Sequence, residues 1–303
     1  MSRNSFRLSG RLVNQMEPKH VRLNRLIQAL EAEEPAFATF VLPTKENAVS
    51  ISDSGYTGAI IEMEHNAFDV RAAQDFMQYL INPRTIMQNG PAPDVTPIVR
   101  IPANGIEANE WMAKQVLDAG AYGVVWPHID TVEQARRAVA ACRYPRFSQT
   151  EPELGTRGCA PFPAARYMAT TPYEYYTRVG GVWPLDRDGE IIVVLMIESP
   201  AGVNNIEQIL AEVPGIGIVF VGPGDLSQAY GIYGQYDNPI MVDACRQVLK
   251  ASTKAGVACG ITALNSKLVD VRLAEGYRFI VTSPRTVNPD FAHHRATLAG
   301  GVK

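Results

Sequence analysis

One pattern constrains this chain more than any other: short apolar runs alternate with segments of helical spacing, eight times over. The runs fall at 37–42, 58–62, 96–101, 123–126, 191–197, 216–221, 257–261 and 279–282. Between and after them, apolar residues recur at helical intervals over 45–54, 70–81, 107–119, 131–142, 203–212, 240–255, 265–275 and 289–298, and an opening helix is predicted at 23–33. A strand that re-enters a sheet in the same direction needs a crossover, ordinarily a helix, so the alternation predicts a parallel sheet. The runs are apolar almost throughout, as strands covered on both faces must be. Gly120, Gly256 and Gly276 stand just past three of the predicted helices, where a left-handed residue closes the last turn.

Periodicity does not reveal closure, and an open doubly wound sheet would show the same alternation. Eight strand–helix units in about 250 residues are what a (β/α)8 TIM barrel uses, so a single α/β barrel domain over 21–303 is predicted. Residues 1–20 read as an N-terminal extension. The stretch 143–190, between the fourth and fifth strands, is too long for an ordinary connection. It is expected to be an inserted loop region that covers an active site or forms an interface.

Composition narrows the partners. A formal charge of -3 over 303 residues gives no general attraction to nucleic acid or an anionic membrane. No run approaches the about 18 apolar residues of a membrane span, and the polar start lacks a secretory core. Cys142, Cys159, Cys245 and Cys259 are scattered without a C-x-x-C pair, which predicts four free, mostly buried thiols in a reducing, cytoplasmic setting.

In a barrel, chemistry collects at the carboxyl ends of the strands. Glu62, Glu64 and His65 close the second run, Arg100 the third and Glu198 the fifth, and Asp225 follows the sixth in Gly222-Pro223-Gly224-Asp225. Any one carboxylate there often serves only as a helix cap or an ion-pair partner; Asp225 suits the cap of a short helix beginning at Leu226. Convergence changes the weighing. Glu198 and Asp225 on adjacent strand ends would share a cation, and an oxygen-rich site suits Mg²⁺ or Mn²⁺, with Co²⁺ a further candidate. His65, beside carboxylates, reads as a base titrating near neutral pH.

Glu62-x-Glu64-His65, Val99-Arg100-Ile101-Pro102, Ile197-Glu198 and Gly222-Pro223-x-Asp225-Leu226-Ser227 occur in an order and spacing that resembles the HpcH/HpaI aldolase family, over about residues 26–286. The resemblance implies a metal-dependent carbon–carbon lyase working through a pyruvate enolate. Glu198 and Asp225 would hold the divalent metal, and backbone N–H groups around Gly224 and Asp225, within the Gly222–Pro223 turn, would hold the substrate carboxylate. Arg100 would stabilise the enolate, and His65, oriented by Glu62, would move protons to and from an aldehyde acceptor. The donor would be pyruvate or oxaloacetate. Family members are usually hexamers with exchanged C-terminal helices, a role open to 288–298 here.

The sequence departs from the family at Glu62, where Asp is usual, at Met196, where a substrate-side Gln is usual, and at Arg285, where Asp is common. Met196 cannot donate a hydrogen bond. An oxaloacetate-type decarboxylase and a noncatalytic 2-oxo-acid-binding protein therefore stand as alternatives, and a CoA-ester lyase resembling the citrate-lyase β group, which shares the barrel and a metal carboxylate pair, is a further one. Arg157-Gly158 matches a family position near the site, so the first half of 143–190 is expected to approach the mouth. Tyr167, Tyr173, Tyr175, Tyr176 and Trp183 would either receive a bulky acceptor or pack an interface. His128, whose family counterpart is usually apolar, reads as an acceptor contact, and His20, His293 and His294 as surface residues.

Overall fold

The structure is a computed structural model and describes residues 21–102, 109–145 and 155–282. The strands are β1 Ala36–Val41, β2 Gly58–Glu62, β3 Thr96–Arg100, β4 Gly123–Trp126, β5 Val182–Trp183, β6 Ile191–Ile197, β7 Ile218–Val221, β8 Ala258–Thr262 and β9 Phe279–Thr282. They run in the order β4-β3-β2-β1-β9-β8-β7-β6-β5, and a further pairing of β4 with β6 closes the ring. The fold is thus a closed eight-stranded parallel barrel, with β5 outside it, paired to Ile191 and Ile192 at the start of β6. Closure excludes the open-sheet alternative. β2, β3, β4, β6 and β7 are buried along their whole lengths, which is why they carry no polar alternation.

The crossover helices form where a capping side chain meets an apolar stripe. Asn24, Thr44, Asp69, Thr131, Ser199, Asn238 and Asn265 each accept a backbone N–H from the first turn of the helix that follows. Ser199 followed by Pro200 starts one helix, Pro200–Glu212, three residues before the predicted 203. The same cap-then-proline signal at Asn82-Pro83 starts a helix over Pro83–Asn89 that apolar spacing alone does not reveal. Gly120, Gly256 and Gly276 have φ of 125°, 70° and 111°, as helix-ending glycines should. Cys142, Cys245 and Cys259 are buried and Cys159 is exposed, all free. Among the described residues no helix is long and apolar enough to cross a membrane. The predicted helix start at 107, the helix at 289–298, Arg285, His20, His293, His294 and the segments 1–20 and 288–303 lie outside the described residues.

The described part of the long stretch between β4 and β6 is more regular than expected, and it does not cover the mouth of the barrel. Helices Phe162–Tyr167 and Pro172–Glu174, a π-turn at Tyr175–Val179 and β5 build it. Its described residues from 155 to 190 lie at the amino ends of the barrel strands, away from the mouth. β5 pairs with the first residues of β6, the Tyr167 ring is 6.1 Å from that of Tyr122 just before β4, and Glu190 accepts the N–H groups of Leu23 and Asn24. The reason is topological: helix Val132–Cys142 carries the chain back down, and the described residues 155–190 stay at the lower end until β6 begins. Arg157 therefore does not approach the mouth. Its side chain is fully buried, over the rings of Tyr144 (4.5 Å) and Tyr175 (5.4 Å), with Nη2 donating to Asp118 at 2.8 Å. Tyr175 packs inside this cluster, Tyr167 is buried against Tyr122, Tyr173 faces solvent, Tyr176 is partly exposed beside Tyr144, and Trp183 donates to Glu31. Of the five aromatics singled out in the sequence only Tyr175 stacks on the buried Arg157, and none lines the cavity at the carboxyl ends of the strands.

Candidate active site

The carboxyl ends of β2, β3, β4, β6 and β7 bring seven polar side chains, Glu62, Glu64, His65, Arg100, His128, Glu198 and Asp225, to one rim of the barrel. Register sets the first contact. Glu62 lies opposite Arg100 across the β2–β3 pair, and its Oε2 accepts from Arg100 Nε at 2.7 Å and also from Nη2. Its other oxygen accepts the backbone N–H groups of Glu64 (2.8 Å) and His65 (3.2 Å), which ties down the turn after β2. Glu62 therefore meets the main chain of His65 and does not orient its ring, because both of its oxygens are already committed. The ring's partner is Glu64, with Nε2 at 3.5 Å from Oε2. The His65 side chain remains 62% exposed.

Glu64 points inward, with Oε2 2.9 Å from Arg100 Nη1. Burial pushes its carboxyl up to about 7, against the pull of Arg100 and helped by the charge of Glu198. Arg100 is buried on the ring of Phe40, 4.4 Å from the centroid, with carboxylates on two sides. One Nη1 contact goes to the sulfur of Met196 at 3.9 Å.

Glu198, just past β6, is 1% exposed. Its Oε1 accepts the backbone N–H of His128 at 2.8 Å, while Oε2 is buried without a hydrogen-bond partner. Burial pushes this carboxyl to about 7; the His128 N–H opposes the rise and the charge of Asp225 adds to it. A buried acceptor without a donor is costly in a finished protein, and a cation is the natural partner for a carboxylate in that state. The residues present thus fit a divalent metal. Among the described residues, Glu64, His128 and Glu198 form a group whose ligand atoms all lie within 4.8 Å of one another. Asp225 lines the same cavity beside Glu198 but is not in that group.

The family model for HpcH/HpaI aldolase/citrate lyase matches residues 40–283. The chain belongs to this family. A hydroxypyruvate/pyruvate aldolase of Paraburkholderia phytofirmans is 28% identical over 258 residues, 85% of this chain and 90% of that one. Another, of Deinococcus radiodurans, is 31% identical over 252 residues, 82% and 79% of the two chains. Among solved structures, an HpcH/HpaI aldolase/citrate lyase family protein from Burkholderia cenocepacia matches with a TM-score of 0.71 at 29% identity, covering 91% of this chain and 98% of that one.

In this member of the aldolase/citrate lyase family, the turn after β7 is shaped around Glu198. The helix there spans Pro223–Ala229, so Asp225 sits in its first turn and Gly222 occupies the capping position. The expectation of Asp225 as the cap of a helix from Leu226 is corrected: Pro223 suits the first helical position and starts the helix earlier. A Cβ on Gly222 would stand 2.3 Å from Glu198 Oε2, whereas one on Gly224 would meet nothing within 4 Å. Glycine at 222 is thus demanded by the buried carboxylate, and the space over Gly224 is open. A cavity of about 240 Å³ adjoins these groups, its walls including Phe40, Arg100, Met196, Glu198, Phe220 and Asp225.

Proposed function

We propose that this protein is a divalent-metal-dependent carbon–carbon lyase that makes or breaks 2-oxo-acid aldols through a pyruvate enolate. The observation that carries this is the facing of Arg100 and Glu198 across one small cavity, the first a fixed cation and the second a buried carboxylate with an unpartnered oxygen. Glu198, with Asp225 from the neighbouring turn, would hold Mg²⁺ or Mn²⁺. When bound, such a cation polarises a ketone oxygen and favours loss of the adjacent C–H proton.

The chain's own groups supply the rest. Arg100 is pre-oriented by Glu62 and Glu64, so no reorganisation is needed when negative charge grows on the keto oxygen. Its Nη1 contact with the Met196 thioether is a weak hydrogen bond and is the donor most cheaply turned toward substrate. The N–H groups of Gly224 and Asp225, unused at a helix start, would meet the substrate carboxylate. His65, exposed at the rim, would exchange a proton with the acceptor aldehyde, with Glu64 beside the ring. The relatives named hydroxypyruvate/pyruvate aldolases support pyruvate-type donors. A cytoplasmic homo-oligomer, by family resemblance a hexamer, completes the proposal.

The test follows methyl-proton loss from pyruvate in D₂O by NMR, with Mg²⁺ or Mn²⁺. Metal-dependent exchange is expected, abolished in Glu198→Ala and, in Arg100→Ala, lowered far more than metal affinity. No exchange with any of several metals would refute enolate formation and favour a noncatalytic 2-oxo-acid-binding protein.

A further inference from the structure

Glu198 sits on the middle one of three adjacent strand ends, with the β4 end on one side and the β7 end on the other. Asp225 comes from the β7 side. From the β4 side comes His128, whose backbone has φ of 53°, a left-handed conformation that a histidine adopts at some cost. That conformation is held by two bonds: the His128 N–H to Glu198 Oε1 at 2.8 Å, and the Ile129 N–H to the carbonyl of Met196 at 3.1 Å. It leaves the imidazole Nδ1 3.8 Å from Glu198 Oε1. Glu64 reaches the same point from β2, and one ligand atom from each of the three falls within 4.8 Å of the others.

Those separations suit one ion. Donors about 2.1 Å from an octahedral cation lie about 3 Å apart when adjacent and about 4.2 Å apart when opposite, so small side-chain movements would bring all three into range. A second, independent observation points to a ligand: the buried Glu198 Oε2 has no donor among the described residues.

We infer that His128 is a nitrogen ligand of the cation, completing with Glu64 a mixed nitrogen–oxygen donor set around Glu198. This rests on the proposed function only in requiring that a cation bind at Glu198. An imidazole ligand changes which ion the site prefers. Nitrogen donors raise affinity for Mn²⁺, Co²⁺ and Zn²⁺ relative to Mg²⁺, which takes oxygen ligands and keeps its water.

The experiment uses the full chain loaded with Mn²⁺ and examined by pulsed electron paramagnetic resonance for coordinated ¹⁴N. Wild type and His65→Ala should both show the modulation of a bound imidazole. His128→Asn, chosen because asparagine tolerates the left-handed backbone, should lose it. That variant should still bind Mn²⁺, but about tenfold or more weakly, with a smaller preference for Mn²⁺ over Mg²⁺ in competition. Bound Mn²⁺ without a nitrogen signal, or a signal surviving in His128→Asn, would overturn His128 as a ligand and leave the lyase proposal standing. Failure of wild type to bind Mn²⁺ or Mg²⁺ at all would overturn both.

Discussion

Without a cation, Glu198 should cost the protein stability, and the size of that cost follows from its burial. The carboxyl is 1% exposed and is pushed from 4.5 to about 7, chiefly by desolvation. That rise corresponds to about 3 kcal/mol of folding free energy. Between pH 4.5 and about 7 the folded chain keeps a proton that the unfolded chain has released, so stability falls as pH climbs through that window. Glu198→Gln removes the charge with nearly the same shape. In EDTA at pH 8.5 it should be more stable than wild type by up to about 3 kcal/mol, while at pH 4 the two should be nearly equal. Urea unfolding at the two pH values measures this directly. Saturating Mn²⁺ should reverse the order at pH 8.5, because the ion stabilises the state whose carboxylate it binds. Equal stabilisation by the substitution at both pH values, or equal stabilisation of both proteins by Mn²⁺, would refute the picture of a buried charge placed for a cation.

Gly222→Ala should weaken Mn²⁺ binding by at least about tenfold while Gly224→Ala leaves it unchanged, because only the first Cβ strikes Glu198 Oε2; Mn²⁺ titration separates them. Arg157→Met should destabilise folding by about 3 kcal/mol or more, leaving Asp118 without its charged partner. It should nevertheless leave pyruvate exchange per folded molecule unchanged, since the cluster lies at the far end of the barrel. Met196→Leu, close in volume, should cost under about 1.5 kcal/mol in denaturant unfolding. It should change the exchange rate by no more than a few-fold, because the contact it removes is a 3.9 Å sulfur contact.

Much of this molecule is legible in the order of its residues. The strand positions follow from runs buried on both faces, and the helix starts from caps such as Asn24 and Thr131, because these are local consequences of burial and backbone hydrogen bonding. The rim residues Glu62, Glu64, His65, Arg100, Glu198 and Asp225 were findable because a parallel barrel sends every strand's end to one face. Their pairing was not. Which oxygen of Glu62 holds which donor, and that Glu64 partners the His65 ring, depend on the β2–β3 register and on the reach of a glutamate. His128 stood out in the sequence only as a departure. Its place beside Glu198 depends on a left-handed turn and on the β4–β6 pairing that closes the barrel.

The sequence by itself determined the alternation, the count of eight units and the ring of polar strand ends, since each is written in the chemistry of a few neighbouring residues. Only the tertiary structure decided closure, the burial of Glu198 with one oxygen unpartnered, and the placing of Arg157 and its tyrosines at the lower end. Those depend on contacts between segments far apart in the chain, where desolvation and partner geometry, and not local pattern, set the energy.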